Sequence, residues 1–231
     1  MDLGLYIAAS GMVAQQVRQD QLSNDLANAS TPGYKPDGSP QHSFGDVLLA
    51  NTEGGTSIGS ADEGVALGKT YTDMTQGSLQ ETGEPLDFAI GGSGFFAVKT
   101  AQGVRYTRDG QFTTSAQGVL TDTSGDPVLD QSGAQIKVDA KGTVAASALG
   151  VFEVPGAVKQ GENLYTGTST GKASASVRQG SLEASGVDAA KIMVEMITSL
   201  RSFQSGQQAI QSIGQTLQEA ASQVGSLNGN S

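Results

Sequence analysis

Cysteine and tryptophan are absent from this 231-residue chain, and histidine occurs once. Without cysteine there is no disulfide framework and no thiolate metal site, and nothing in the chain prefers a reducing over an oxidising compartment. The single histidine, His42, falls in a Ser- and Pro-containing stretch and has no fixed partner in the sequence, so it reads as a solvated surface residue. No metal, cofactor or catalytic residue is expected. Basic residues are scarce as well: 13 Lys and Arg stand against 23 Asp and Glu, for a net charge of −10. Such a chain is repelled by phosphate backbones, and nucleic acid is excluded as a partner. Long apolar runs are also missing. The opening MDLGLYIAASGMVAQQ has no basic leader, and Gln15, Gln16, Arg18 and Asp20 interrupt it too soon for a signal peptide or a membrane span. Neither membrane insertion nor a cleaved signal is expected.

Glycine, by contrast, is plentiful at 32 residues, while aromatics make up only 5%. That balance favours short strands and tight turns around a modest core, with room in 231 residues for one domain and extended arms. The arms come first and last. Leu5, Ala8, Met12, Gln15, Gln19, Leu22, Leu26 and Ala29 follow a 3-4 spacing, which predicts an amphipathic N-terminal helix within residues 1–34, with Asp2 as a candidate N-cap. Pro32 and Gly33 stop it. Residues 35–69 carry Pro36, Pro40 and many Gly, Ser and Asp, and read as an extended connector with one apolar docked segment at 44–50.

Residues 70–186 form the expected β domain. Short β-type runs lie at 87–90, 95–99, 104–107 and 136–138, and turn glycines 103, 110, 118, 125, 133 and 142 recur every seven to nine residues. A second β stretch at 149–177 completes the domain. Two near-identical segments, QGSLQETG at 76–83 and QGSLEASG at 179–186, bracket it and read as matching edges where the chain enters and leaves. The C-terminal stretch 187–224 holds Met193, Met196, Leu200, Phe203, Gln207, Ile210, Gly214, Leu217, Ala221 and Val224 in unbroken 3-4 alternation, a heptad stripe ahead of a polar, disordered tail at 225–231. Gly206 and Gly214 cost about 1 kcal/mol each in a helix interior, so close backbone approach is expected there. The fold class is therefore α+β: long N- and C-terminal helices forming a coiled-coil-like layer, with a Gly-rich, mainly antiparallel β domain between them. A long helix with an apolar seam cannot bury that seam alone. Its partner is the other terminus, a second copy, or both, and a head-to-tail repeat of such a contact makes an open filament.

These residues also carry a family resemblance. LYIAASGMVAQQ followed by LSNDLANASTPGYK, with Leu26, Ala27, Asn28 and then Gly33, Tyr34, Lys35, resembles the N-terminal signature of bacterial flagellar rod and hook proteins. QGSLQETGEPLDFAIGGSGFFAV with RYTRDGQFT is similar to that family's β-domain core, and QGSLEASGVDAAKIMVEMITSLRSFQ resembles its C-terminal helix at Met196, Ile197, Arg201 and Phe203. Asp25, Gly186 and Leu200 depart from the pattern. The resemblance implies an axial subunit of the basal-body rod, outside the cytoplasmic membrane. It implies terminal helices lining a tube around an export channel, an outer β layer, and passage through the flagellar type III export apparatus. Implied partners are further copies and homologous rod or hook proteins, with no small-molecule substrate. The subunit interface expected on this basis comprises Leu5, Met12, Leu22, Leu26, Asn28, Met193, Met196, Leu200, Phe203, Ile210, Leu217 and Val224.

Other readings are weaker. Gly91-Gly92-Ser93-Gly94 lacks the Lys-Ser/Thr of a phosphate loop and leads into a strand, so a sheet turn is expected. Glu84, Asp87 and Asp109 sit beside turn glycines, where acidic residues ordinarily support the turn; a cell-wall hydrolase built on them is the enzymatic alternative. An extracellular β-domain binding module, with helices merely covering the sheet, is the non-enzymatic one.

Overall fold

A computed structural model describes residues 3–43, 65–161 and 163–227. The apolar segment expected to dock at 44–50 lies outside the described residues. The chain is α+β, with a helix at each end and antiparallel sheets between. It divides into two compact units. One holds the helices and residues 37–71, and the other holds residues 27–36 and 72–188.

In the helical unit, α1 spans Leu3–Ala27 and α2 spans Ala189–Leu227. Both are rich in Ala, Leu, Met and Gln, which lose little rotamer freedom in a helix, and α2 follows Asp188, a favoured N-cap type. The helices run antiparallel. Arg18 meets Glu195 at 2.9 Å, the Ser199 hydroxyl donates to the Gln15 carbonyl at 3.2 Å, and Gly206 faces Met12. A Cβ at Gly206 would stand 2.9 Å from Met12 Cγ, so this glycine permits the close approach expected of it; around Gly214 there is open space. Gly4 lies opposite Ile213. Beyond that level α2 continues for about 20 Å, as 14 residues at 1.5 Å rise require. A short antiparallel ladder, Gln41–Ser43 with Val65–Leu67, belongs to the same unit.

The β unit is organised by one hairpin, Phe95–Thr100 and Gly103–Thr107, at the centre of a seven-stranded antiparallel sheet. Its first strand reads Phe-Phe-Ala-Val without alternation because both of its faces are covered. Phe96 and Val98 enter a core with Phe88, Ile90, Phe112, Leu120, Val128 and Val151. Phe95 and Ala97 enter a second core with Tyr106, Leu129, Val154 and Tyr165. The expected strand at 136–138 is instead a pair of isolated bridges, Leu129 to Gln135 and Val119 to Lys137. Turns built on Asp130 and Asp139 close in from both sides and leave too few residues for a ladder. The two near-identical segments pair with each other: Leu79–Glu81 is antiparallel to Ser181–Glu183.

Candidate functional site

Burial divides the expected C-terminal stripe in two. Met196, Phe203 and Ile210 are half-buried and fall in register with Ile192, Ser199, Gly206 and Ile213, the face that meets α1. Met193, Leu200 and Leu217 are exposed, at 49%, 41% and 45%. They are joined by Val194 and Ile197, exposed at 64% and 53% and missed in the sequence. The offset was readable: an apolar series at 192, 196, 203, 210 and 213 runs one residue away from the series at 193, 197 and 200. On α1, Leu22 is buried, Met12 and Leu26 are half-buried, and Leu5 is exposed. Tyr6, Val13 and Val17 add an exposed apolar row at heptad spacing that the sequence reading also missed. Helix α2 passes through Val224, whose side chain lies outside the described residues.

Asn28 belongs to the β unit, where its carbonyl accepts the Ser185 hydroxyl at 2.9 Å. Near it lies a cluster of buried charge. Lys35, Glu183 and Arg108 are 0%, 1% and 5% exposed. Lys35 Nζ donates to Glu183 Oε1 at 2.5 Å and to the Thr75 carbonyl at 2.6 Å. Glu183 Oε1 also accepts the Gly77 amide at 2.8 Å, and its Oε2 accepts Arg108 Nη1 at 3.2 Å. Arg108 lies over the Phe95 ring, 5.3 Å from its centroid, while its Nε has no hydrogen-bond partner among the described residues. Gly33, at φ 65°, presses so closely on Arg108 that a Cβ would stand 2.3 Å from its carbonyl oxygen, and the Gly33 amide donates to the Glu183 carbonyl at 2.8 Å. The Gly-Tyr-Lys exit of the N-terminal signature is thus built into the β unit through a glycine and a lysine.

Of the carboxylates of the hydrolase alternative, that of Asp109 serves a turn. Asp109 accepts the Gln111 amide at 2.9 Å, and burial, reinforced by the charges of Asp122 and Asp87, pushes its pKa up to about 6. Burial likewise raises Asp122. Asp130 is held low by the Ser132 hydroxyl and the Ala134 amide, and Asp139 by the Thr143 amide and hydroxyl. Among the described residues no cluster of His, Asp or Glu is placed to hold a metal, and no helix is long and apolar enough to cross a membrane.

Comparison with known proteins matches three stretches of the chain. Residues 5–35 match the model of the flagella basal body rod protein family, residues 89–153 the flagellar hook protein FlgE/F/G D1 domain, and residues 178–223 the C-terminal domain of flagellar basal body rod FlgEFG proteins. The flagellar hook-basal body complex protein FlhO of Bacillus subtilis is 32% identical over 97% of this chain and 99% of its own length. The flagellar basal-body rod protein FlgF of Caulobacter vibrioides is 30% identical over 99% of this chain and all of its own. The rod protein FlgG of Bacillus subtilis is 32% identical over 93% and 96%. With relatives matched end to end at this level, and family models matching near the beginning, in the middle and near the end, the chain belongs to the flagellar basal-body rod protein family.

Proposed function

We propose that this chain is a structural subunit of the flagellar basal-body rod, polymerising through its terminal helices into a hollow axial shaft that transmits torque and lets exported subunits pass. The observation that carries this reading is the apolar surface left open on the helical pair: Tyr6, Val13 and Val17 on α1, and Met193, Val194, Ile197 and Leu200 on α2. Full burial of a large apolar side chain is worth about 1.5–3 kcal/mol, so seven half-exposed ones supply a sizeable drive for helix-on-helix association. The length of α2 beyond Ile213 adds Leu217, exposed as well. Neighbouring copies and homologous rod or hook proteins are the partners that such helices fit, packed as a coiled-coil-like layer. Passage to that location through the type III export apparatus follows from the family resemblance, as does the absence of enzymatic work. Rod is favoured over hook because the curated rod proteins match along nearly their entire length.

Electron microscopy of the concentrated protein tests the reading. Rod-like filaments or short tubes are expected; dispersed monomers at millimolar concentration, with both helices protected from hydrogen exchange, would favour the binding-module alternative.

A further inference from the structure

Among the described residues, Glu183 is the one acidic side chain held by the two buried cations Lys35 and Arg108. Around it converge the segment leaving α1, at Gly33 and Lys35, and the segment leading to α2. There the Ser185 hydroxyl donates to the Asn28 carbonyl and the Gly186 amide to the Tyr34 carbonyl, each at 2.9 Å. These bonds lie outside the ladder of the seven-stranded sheet. Further support comes from Lys159, whose Nζ lies 3.9 Å from the Tyr34 ring centroid and donates to the Lys35 carbonyl, and from Asn163, which donates to the Pro32 carbonyl.

We propose that Lys35, Arg108 and Glu183 form a latch, closed by the Glu183 carboxylate, that ties the roots of the two terminal arms together and opens locally without unfolding the sheet. The charge count gives the reason. Removing the carboxylate leaves two uncompensated cations in a site that excludes water, whereas removing one cation leaves a neutral ion pair. A packing role alone would give the reverse order, since Glu to Gln preserves shape and Lys or Arg to Met does not. The latch rests on the rod-subunit reading only in its consequence, namely that arms released at their roots polymerise poorly. The sheet is free to stay folded because its two apolar cores are made of other side chains, with Arg108 lying over the ring of one of them, Phe95.

Hydrogen exchange on the full chain, kept dilute so that assembly does not enter, tests the latch apart from the rod reading. Glu183→Gln is expected to speed exchange at least tenfold at the amides of Gly33, Gly77 and Gly186, with residues 95–107 changing less than twofold. Lys35→Met and Arg108→Met are expected to change the same glycine amides less than threefold. The proposal is overturned if Glu183→Gln leaves the glycine amides protected, if sheet and latch lose protection together, or if either cation variant opens the latch as far. A Glu183→Gln chain that fails to fold has lost sheet and latch together and overturns the proposal; where it folds, adding Lys35→Met leaves one buried cation in place of two and is expected to slow exchange at the three glycine amides again, and no slowing also overturns the latch.

Discussion

The β unit and the helical pair solve the burial problem in opposite ways. In the β unit, Phe95, Phe96, Ala97 and Val98 are covered on both faces of their strand, and among its described large apolar residues Met74, Val104 and Val158 are exposed. In the helical unit, each helix covers one row of its side chains with the other helix and leaves a second row bare. The lesson is that a sheet between two cores is complete as one copy, whereas two helices have too few faces to cover each other and keep a surface for a partner.

This contrast can be broken first at Gly110. A Cβ there would fall 1.6 Å from the Phe88 carbonyl oxygen, so Gly110→Ala is expected to destabilise the β unit by more than about 4 kcal/mol. Urea unfolding followed by near-ultraviolet circular dichroism measures the loss, and the helices are expected to outlast the sheet. Next, Phe203→Asp sets a charge on the face of α2 that meets α1. It is expected to cost the helical pair about 3 kcal/mol and to abolish assembly, while the β unit keeps its unfolding midpoint. Hydrogen exchange resolved to α1 and to the sheet separates the two effects.

A smaller effect is expected at Asp109, whose carboxyl holds its proton more tightly folded than unfolded. Its contribution to stability is therefore full below about pH 4, the unfolded value, and is lost as pH rises through about 6. Asp109→Asn, which keeps an oxygen for the Gln111 amide, is expected to stabilise the β unit at pH 7 by about 2 kcal/mol and to flatten this slope, as read from denaturant midpoints between pH 4 and 7. At Val158, 63% exposed on an edge strand, Val158→Ser is expected to change stability by less than about 0.5 kcal/mol and to leave assembly untouched. A large loss of assembly there would move the interface off the helices.

Much of this was legible in the sequence. The runs at 87–90, 95–99 and 104–107 were visible because β-branched and aromatic residues lie between turn glycines, and the near-repeat of Gln-Gly-Ser-Leu marked two segments that pair with each other. Terminal helices were visible from their 3-4 spacing. What periodicity could not give was which row of α2 faces α1. Two apolar rows sit one residue apart, about 100° around the helix, and the stripe at 193, 196, 200 and 203 crosses from one to the other. Small residues settle it: Ser199 and Gly206 mark the side where another helix comes close. The Lys35–Glu183–Arg108 cluster was invisible for a different reason. Its members are 148 and 75 residues apart along the chain, and long-range charge pairing leaves no local period.

The most direct test of the claim that copies meet on the open helical face is Leu200→Asp. Leu200 is 41% exposed in the single chain, so the substitution is expected to change the stability of isolated protein by less than about 1 kcal/mol. Filament formation by the concentrated variant, seen in negative-stain micrographs beside the unaltered protein, is expected to disappear. Filaments of normal abundance at the same concentration would contradict the account.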